Sequence, residues 1–358
     1  MSDSFIHHDL RTALDHRPRL ALASLPTPLQ EAHRLRHALG GSARCPRIFV
    51  KRDDLTGLAG GGNKARKLEF LVGDARQRGA TTLITTGAVQ SNHARMTAGA
   101  ARLAGMDCEL VLTTHVDAPE DEGNLLLDRL FGARVHYVPS VDPMLAVGLD
   151  EATVRDVEAS VRARGGTPYV IPVGGSSAVG TLGYVAGTVE LCAQLDALDL
   201  VPTRLYFASG SRGTQAGLTL GAHLCGAPYR LHGIAVSAGE PEKYERARRA
   251  ARDAAALLGF DDSVLGAAFV TDQGFIGDGY GLPTPEALEG LVLVARTEAL
   301  VLDPTYTAKA MAALIAHVRR GEVRPDETIV FLHTGGSPAL FTRGARAAIE
   351  RAPAWQIP

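Results

Sequence analysis

Short apolar runs alternate with longer amphipathic segments along almost the whole chain. Runs rich in β-branched and aromatic residues are typical of strands, whereas apolar residues that recur at every third or fourth position are typical of helices. The first pattern predicts strands over residues 47–50, 82–86, 108–112, 134–138, 169–172, 204–208, 230–236 and 328–333. The second predicts helices over residues 64–77, 91–104, 123–130, 151–164, 180–195, 214–224, 241–258, 285–298, 308–319 and 338–350.

The alternation of these elements predicts an α/β fold in which helices flank open, twisted, mostly parallel sheets. The elements are too numerous for one compact doubly wound sheet, so we expect two sheets and two domains. A smaller α/β domain over residues 68–173 is expected to be inserted into a large domain formed by residues 1–67 and 174–358.

Composition narrows the class of protein. The 358 residues are 46% hydrophobic and 21% charged, which is typical of a globular protein, and the net charge of −2 gives no electrostatic reason to expect nucleic acid or a membrane as a partner. We find no apolar run of the roughly 18 residues that a membrane span needs and no secretion signal. The cysteines are widely spaced, which fits buried thiols in the cytoplasm and gives no metal-binding pattern.

Lys64 directly follows the glycine turn 60–62 and Asn63, and it opens the helix predicted over residues 64–77. The turn is not a nucleotide-binding P-loop, because Asn63 separates the last glycine from the lysine and Ala65 replaces the serine or threonine. A lysine becomes a nucleophile when burial or nearby cations favour its neutral form. Local sequence alone favours a solvated lysine, and the alternative is an amine that attaches to a carbonyl cofactor.

Three further strand-to-helix turns carry polar residues. Ligands bind beyond the carboxyl ends of strands in open α/β sheets, so these turns are candidates for one site. Ser91, Asn92 and His93 form the first turn, where helix capping is the simpler interpretation. Residues 209–214 form the second turn, which is either an anion cradle at a helix N-terminus or an ordinary loop. Thr334 lies in the third turn, directly after a predicted strand.

Taken in order, these turns belong to segments that resemble the D-cysteine desulfhydrase and 1-aminocyclopropane-1-carboxylate deaminase family. Its members are fold-type II enzymes that depend on pyridoxal 5′-phosphate, within the tryptophan synthase β superfamily. The resemblance covers nearly the whole chain. It is carried by the segments LPTPL, VKRDDLTG, GGNKARKLEF, TGAVQSNHAR, IPVGGSSAVGTLGYV, SGSRGTQAGL, YGLPTPEAL, LDPTYTAKAM and FLHTGGSPALF.

The resemblance implies that pyridoxal 5′-phosphate attaches covalently to Lys64, whose freed amine later removes the Cα proton of an amino-acid substrate. It implies that Asn92 binds the phenolic oxygen of the cofactor and that Thr334 lies near the pyridine nitrogen. Ser91, Asn92 and His93 are expected to bind the substrate, and Ser91, beside the substrate carboxylate and Cα, is also expected to be catalytic. The phosphate is expected to be held by Ser209, Gly210, Ser211, Arg212, Gly213 and Thr214.

Four residues bear on the type of reaction. Tyr280 and Tyr306 are expected to flank the cofactor and to act in catalysis, although each alone is more typical of a half-buried core tyrosine. Ring-opening deaminases carry glutamate directly after the second tyrosine, where this chain has Thr307, so ring opening is not expected. Arg212 either supplements phosphate binding, reaches an acidic substrate group or points into solvent, and the first and last of these are favoured.

The expected function is a β-elimination that converts D-cysteine to pyruvate, sulfide and ammonia in a homodimer. The alternatives are an L-cysteate sulfo-lyase that releases sulfite, or a related amino-acid deaminase. Two hypotheses from other classes of protein are a nicotinamide-dependent oxidoreductase and a catalytically silent amino-acid-binding protein. The missing GxGxxG fingerprint argues against the oxidoreductase.

Overall fold

The computed structural model describes residues 3–115, 119–139, 151–239, 241–261, 269 and 271–356. The strands within this part of the chain are β1 (Leu29–Glu31), β2 (Arg47–Arg52), β3 (Thr82–Ala88), β4 (Asp107–Thr114), β5 (Arg134–Pro139), β6 (Pro168–Ile171), β7 (Arg204–Ser209), β8 (Arg230–Ala235), β9 (Thr271–Asp272) and β10 (Thr328–His333).

Helices connect nearly all of these strands. They are α1 (Asp3–Asp15), α2 (His33–Ala38), α3 (Lys64–Gln77), α4 (Asn92–Ala104), α5 (Gly123–Leu130), α6 (Glu151–Ala163), α7 (Ala178–Ala197), α8 (Gly213–Leu224), α9 (Glu242–Leu258), α10 (Pro285–Glu298), α11 (Thr307–Arg319) and α12 (Arg343–Arg351). None of the helices in the described residues has a stretch long and apolar enough to cross a membrane.

The strands form two sheets, which confirms the predicted fold class. The larger sheet has the order β1-β2-β10-β7-β8-β9, and the smaller has the order β5-β4-β3-β6. All neighbouring strands are parallel except β1, which pairs antiparallel with β2. Parallel neighbours put their carboxyl ends on one edge of each sheet, where the connecting turns can converge on a ligand.

The smaller sheet is built entirely from residues 82–171. This segment lies within the predicted insertion over residues 68–173, and the larger sheet takes strands from both sides of it. The domain boundaries themselves stay a prediction.

Most predicted elements agree with the structure, and the exceptions have local causes. The helix predicted over residues 338–350 is wrong in extent: a 3₁₀ helix covers Ser337–Phe341, and α12 begins after Thr342, whose Oγ1 accepts a hydrogen bond from Ala345 N at 3.2 Å. Such an N-cap starts a new helix and so interrupts the first. The sequence prediction missed α1, α2, β1 and β9. The two strands are too short to give an alternating pattern.

Helices α3, α7 and α8 pack at very short range. A Cβ atom at Gly183 of α7 would lie 2.3 Å from the carbonyl oxygen of Arg66 in α3. A Cβ atom at Gly217 of α8 would lie 2.6 Å from the carbonyl oxygen of Thr181. Only glycine permits this approach, so these two glycines set how closely α7 packs against α3 and against α8.

A buried polar network anchors the start of α3. Arg66, which is 2% exposed, donates to both carboxylate oxygens of Asp53 at 2.8 Å, to Glu190 at 2.8 and 2.9 Å and to Thr27 Oγ1 at 2.9 Å. Tyr184 OH donates to Asp53 at 2.6 Å. Because every member of the network is bonded, it holds the first turn of α3, and therefore Lys64, in one place.

All four cysteines are free and buried, which confirms the prediction of buried thiols. Burial raises the pKa of the Cys45 thiol to about 11. Burial likewise raises the pKa of Cys108.

Candidate active site

A cavity of about 300 Å³ opens where the turns before α3, α4 and α8 meet the residues after β10. The start of α9 and two tyrosines complete its wall. The sequence-selected residues that line it are Lys64, Ser91, Asn92, His93, Ser209, Gly210, Ser211, Arg212, Thr214, Tyr280, Tyr306 and Thr334. The structure therefore brings together groups that are up to 270 positions apart in the chain (334 − 64).

The glycine turn before Lys64 has a backbone that favours glycine at each position. The φ angles are +90°, +80° and +134° at Gly60, Gly61 and Gly62. A Cβ atom at Gly61 would lie 1.9 Å from the carbonyl oxygen of Asp54. Asn63 N donates to the carbonyl oxygen of Thr334 at 3.0 Å, so the lysine turn is joined directly to the end of β10.

Within the described residues, the amine of Lys64 donates one hydrogen bond, to Asn63 Oδ1 at 2.9 Å. Burial, reinforced by Arg95 and opposed by Asp303, lowers the pKa of Lys64 to about 8. An amine with this pKa is partly neutral near neutral pH, and the neutral form is the nucleophile and the base. The solvated lysine favoured by the local sequence is therefore wrong.

Ser91 and His93 stand at the start of α4. Ser91 is the N-cap, and its Oγ accepts from Ala94 N at 3.2 Å, so the capping interpretation is correct, yet Ser91 also lines the cavity. His93 Nε2 lies 3.0 Å from Thr85 Oγ1. Burial, reinforced by Lys64 and then Lys67, holds the pKa of His93 well below its usual value, so its imidazole is neutral.

Asn92 has an unsatisfied hydrogen-bonding atom in the wall of the cavity. Its Oδ1 is buried and has no hydrogen-bond partner within the described residues. Buried amides normally satisfy their donors and acceptors, and rotation of the amide by 180° exchanges its oxygen and its NH₂ group. A polar ligand beside Asn92 would supply the missing hydrogen-bond partner.

Residues 209–214 form a polar cradle between β7 and α8. Ser209 Oγ donates to Gln215 Oε1 at 2.8 Å, Ser211 Oγ accepts from Ser176 Oγ at 2.9 Å and Thr214 Oγ1 accepts from Asn63 Nδ2 at 3.0 Å. These bonds fix the hydroxyls around the N-terminus of α8, whose free N–H groups and dipole attract anions. The arrangement favours an anion site over an ordinary loop.

Gly213 is the one residue of the cradle that does not line the cavity. A Cβ atom there would lie 2.5 Å from Ser176 Oγ and 2.7 Å from Lys67 Nζ. Glycine at this position lets α8 begin directly against a second lysine, and Lys67 Nζ donates to the carbonyl oxygen of Gly174 at 3.0 Å.

Arg212 does not point into solvent, which corrects one of the two outcomes favoured from the sequence. The side chain is 1% exposed, Nη1 donates to the carbonyl oxygen of Ser209 at 3.0 Å, and the guanidinium lies 5.4 Å from the ring centre of Tyr244. Its φ of +65° places it in the left-handed region at the N-cap of α8. Burial lowers the pKa of Arg212 to about 10, so it stays charged at neutral pH.

Tyr280 and Tyr306 contact each other in the wall of the cavity. Their hydroxyls are hydrogen-bonded, and their rings are edge-to-face with centres 5.8 Å apart. Burial raises the pKa of Tyr280 to about 12 and that of Tyr306 well above its usual value. Both therefore remain protonated at neutral pH, and one of the two hydroxyl hydrogens is left over after the mutual bond.

Asp303 holds the turn that presents Tyr306. Its carboxylate accepts from the N–H groups of Thr305, Tyr306 and Thr307 at 2.8–3.0 Å and from Thr307 Oγ1 at 2.7 Å. Thr307 is fully buried in this contact and is not among the residues that line the cavity. The sequence-based argument that Thr307 adjoins the cofactor ring gains no support from this geometry.

The sequence analysis missed three charged residues at the start of α9. Glu242, Lys243 and Arg246 line the cavity. Lys243 Nζ donates to Ser237 Oγ at 2.7 Å and to the carbonyl oxygen of Ala238. Burial, reinforced by Arg212 and Arg246, lowers the pKa of Lys243 to about 8. No motif marks these residues, because the segment has the ordinary pattern of an amphipathic helix with a charged face.

The fold and the cavity together define an enzyme site that combines an amine of lowered pKa with a polar cradle at a helix N-terminus. The family model described as "Pyridoxal-phosphate dependent enzyme" matches residues 20–335. The chain therefore belongs to this family, and its cofactor is pyridoxal 5′-phosphate.

Individual proteins that are similar to this chain allow a comparison within the family. The chain is 39% identical over 338 residues to D-cysteine desulfhydrase of Serratia proteamaculans (strain 568), covering 93% of this chain and 98% of that protein. It is 39% identical over 351 residues to D-cysteine desulfhydrase of Salmonella choleraesuis (strain SC-B67), covering 94% and 98%. A solved structure described as an ACC deaminase homologue is 35% identical, covers 95% and 98%, and has a TM-score of 0.83.

The residues present fit the cofactor. Lys64 offers an amine of lowered pKa to its aldehyde, the N-terminus of α8 offers donors to its phosphate, and Asn92 offers an unpartnered amide. When bound, pyridoxal 5′-phosphate delocalises negative charge that develops at the α-carbon of an amino acid. This fit and the family membership remove the nicotinamide-dependent oxidoreductase and the silent binding protein from consideration.

Proposed function

We propose that this enzyme is a carbon–sulfur lyase that converts D-cysteine to pyruvate, sulfide and ammonia by β-elimination. The observation that carries the proposal is the position of the Lys64 amine in one cavity with the bonded hydroxyl pair of Tyr280 and Tyr306. That arrangement supplies a base and an acid to one small substrate. The names of the similar proteins support D-cysteine as the substrate.

Four groups of residues hold the cofactor in this proposal. Lys64 binds its carbonyl carbon and Asn92 its phenolic oxygen. The hydroxyls and backbone N–H groups of residues 209–214 bind its phosphate, with Arg212 adding positive charge. Thr334 would lie toward the ring nitrogen, and the hydrogen bond that its carbonyl oxygen accepts from Asn63 N holds it beside the turn of Lys64.

Lys64 then acts as the base. Its neutral amine accepts the proton from the substrate α-carbon, and its burial favours the neutral form before the proton arrives. Ser91, Asn92 and His93 bind the substrate carboxylate at the N-terminus of α4, whose N–H groups and dipole favour an anion. A fixed carboxylate orients the Cα–H bond toward the amine.

Tyr280 and Tyr306 act on the leaving group. In our proposal the hydroxyl hydrogen that is left over after their mutual bond is donated to the departing sulfur, so hydrogen sulfide leaves as the bond between the β-carbon and sulfur breaks. The proton taken from the α-carbon balances the one given to sulfur. The released aminoacrylate adds water and loses ammonia to give pyruvate.

A second candidate is L-cysteate, whose elimination releases sulfite. The observation that favours it is the group of cations at the cavity: Arg212, Lys243 and Arg246. A sulfonate is a strong acceptor for such donors. The same cations also lie near the phosphate cradle, so they serve the cofactor equally well under the first proposal.

Product analysis separates these candidates. Purified enzyme is incubated with D-cysteine, L-cysteine and L-cysteate, and sulfide, sulfite and pyruvate are measured. Sulfide and pyruvate in equal amounts from D-cysteine support the main proposal. Sulfite from L-cysteate, with no product from D-cysteine, replaces it with the second candidate, and pyruvate from neither contradicts both.

We also propose a homodimeric enzyme of the cytoplasm with a smaller domain over residues 68–173. The buried free thiols support a reducing compartment. The four-stranded sheet built from residues 82–171 supports the domain boundaries. The dimer rests on resemblance to the family, and light scattering coupled to gel filtration tests it: a mass twice that of the 37.7 kDa chain is expected.

A further inference from the structure

A second cluster of ligand-type side chains lies outside the cavity, between β8, β9 and α11. His232, Asp272 and His317 each place one ligand atom so that all three atoms lie within 4.8 Å of one another. None of the three lines the cavity described above. The cysteine pattern of the sequence had given no reason to expect a metal site, and this cluster contains no cysteine.

Sheet register explains why these residues meet. His232 pairs with Tyr206 of β7, and Asp272 pairs with Ile234 of β8. Paired residues point to the same face of a sheet, and so do residues two positions apart, such as His232 and Ile234. His232 and Asp272 therefore project from one face, and His317 approaches them from α11, which packs on β7 and β8.

The spacing of the ligand atoms suits a small ion. His317 Nε2 lies 3.3 Å from Asp272 Oδ2 and 3.7 Å from Glu322 Oε2. Around a tetrahedral ion with bonds of about 2.0–2.1 Å, neighbouring ligand atoms lie about 3.4 Å apart. Asp272 and Glu322 are 27% and 49% exposed, so an ion can enter from solvent.

Each of the two imidazoles has a ring nitrogen placed to bind an ion. Tyr206 OH lies 3.0 Å from His317 Nδ1, which leaves Nε2 of His317 directed at the carboxylates. His232 Nε2 is buried and has no hydrogen-bond partner within the described residues. Neutral imidazole is the metal ligand, and a hydrogen bond to its other nitrogen fixes its orientation.

We propose that His232, His317 and Asp272 bind a divalent transition-metal ion of the Zn²⁺ type, with Glu322 as a fourth ligand. Two imidazoles with two carboxylates favour such an ion over Mg²⁺ or Ca²⁺, which prefer oxygen ligands alone. The ion would join β8, β9 and α11, three elements that are far apart in the chain.

The proposed ion has a structural consequence for the cavity. Asp272 begins the segment that leads to Tyr280, and Lys309 of α11 donates to the carbonyl oxygens of Ile276 and Gly279 at 2.6 and 2.9 Å. The ion would hold the first residues of this segment to α11, and Lys309 holds the later ones. The segment would thereby be tied to one helix at both ends.

Cobalt titration of the chelator-treated holoenzyme tests the site, because tetrahedral Co²⁺ has visible bands at longer wavelength than the cofactor. Wild-type enzyme is expected to bind one Co²⁺ with these bands, and Zn²⁺ is expected to displace it. Asp272→Asn is expected to weaken Co²⁺ at least tenfold, His317→Gln to abolish the bands and Tyr206→Phe to weaken binding about tenfold or more. His33→Gln, which removes a histidine side chain that is 75% exposed, is the control and should bind like wild type.

The outcomes that overturn the proposal are equally distinct. Absence of saturable Co²⁺ binding to the wild-type enzyme contradicts it. Equal affinity in wild type, Asp272→Asn and Tyr206→Phe also contradicts it, because binding would then arise at other surface histidines as an adventitious ion only. Asp272→Asn keeps the side-chain shape at a partly exposed position, so it reports on the site even when His317→Gln does not fold.

Discussion

Lys64 and Arg66 are basic residues two positions apart in the first turn of α3, yet their surroundings are opposite. Burial alone would lower the pKa of Arg66, but the carboxylates of Asp53 and Glu190 outweigh it and raise that pKa well above the usual value. Lys64 faces a cavity, donates to a neutral amide, and has a pKa lowered to about 8 by burial and Arg95.

The difference shows how one helix start serves both structure and chemistry. A buried cation with carboxylate partners is fixed in its charged form, and it holds the chain in place. A buried amine without a carboxylate partner loses its proton readily, and it is then free to react. Arg66, which has carboxylate partners, thus holds Lys64, which has none, in position.

The largest effect is expected from removal of the unpaired amine. Lys64→Ala should lower turnover by about four orders of magnitude or more, because both covalent attachment and the base are lost. The free energy of unfolding without cofactor should change little, since the amine holds no structural partner apart from Asn63. Turnover and urea unfolding are measured together. Turnover near the wild-type value would refute the assignment of Lys64.

Removal of Arg66, the cation with carboxylate partners, should lower stability, in contrast to removal of Lys64. Arg66→Ala should lower the free energy of unfolding by about 3–5 kcal/mol, because Asp53 is left buried without its partner. Urea denaturation measures the change. An unfolding midpoint equal to that of the wild type would show that the network does not anchor α3.

Replacement of the tyrosine hydroxyl should have an intermediate effect. Tyr306→Phe should lower kcat for elimination about 10²-fold, since the hydroxyl pair can no longer donate to the leaving group. Tyr169→Phe is the matched control, because Tyr169 OH donates to Asp74 at 2.6 Å and does not line the cavity. Equal kcat values for the two variants would exclude the tyrosine pair from catalysis.

The pH dependence of cofactor uptake should report the pKa of Lys64. Below about pH 8 the amine is mostly protonated, so the rate at which apo-enzyme captures pyridoxal 5′-phosphate should rise about tenfold per pH unit and level off above pH 8. N-acetyl-lysine methyl ester, with an ordinary amine, is the control and should keep accelerating to about pH 10. Identical profiles would mean that the cavity does not lower the pKa.

The smallest effect is expected at the edge of the cradle. Ser211→Ala should raise the Kd for pyridoxal 5′-phosphate about fivefold, which corresponds to one neutral hydrogen bond of about 1 kcal/mol. Fluorescence titration of the apo-enzyme measures the affinity. Ser160→Ala, an exposed serine on α6, is the control. A Kd unchanged by Ser211→Ala would place the phosphate away from this hydroxyl.

The fold was largely predictable because its strands are continuous apolar runs separated by amphipathic helices. Strands buried in parallel sheets, such as β7 and β10, give this signal strongly. The two-residue strand β9 gives none, although it carries Asp272. Its pairing is imposed by the neighbouring strand β8, which is information that a local window does not contain.

The candidate site was predictable only where it depends on turns with a recognisable motif. Lys64, Ser91 and the cradle over residues 209–214 lie in such turns, and all three reach the cavity. The burial of Arg212 was not predictable, because it depends on Tyr244 from a helix that begins some thirty residues later. Lys243 was missed for a similar reason: it lies in a charged helix, and only tertiary packing turns it inward.

The central claim is that Lys64, and no other buried lysine, is the reactive amine. Burial also lowers the pKa of four further lysines: Lys51, Lys67, Lys243 and Lys309. Each of these donates to at least one backbone carbonyl oxygen, whereas Lys64 donates to the side chain of Asn63 at the cavity wall.

Borohydride reduction of the holoenzyme, followed by proteolysis and mass spectrometry of the peptides, tests this claim most directly. Reduction makes the bond between the lysine and the cofactor permanent, so the modified residue can be read from the fragments. We predict that the mass of the reduced cofactor is found on the peptide that contains Lys64. Its presence on Lys67, Lys243 or Lys309, with Lys64 unmodified, would contradict the account.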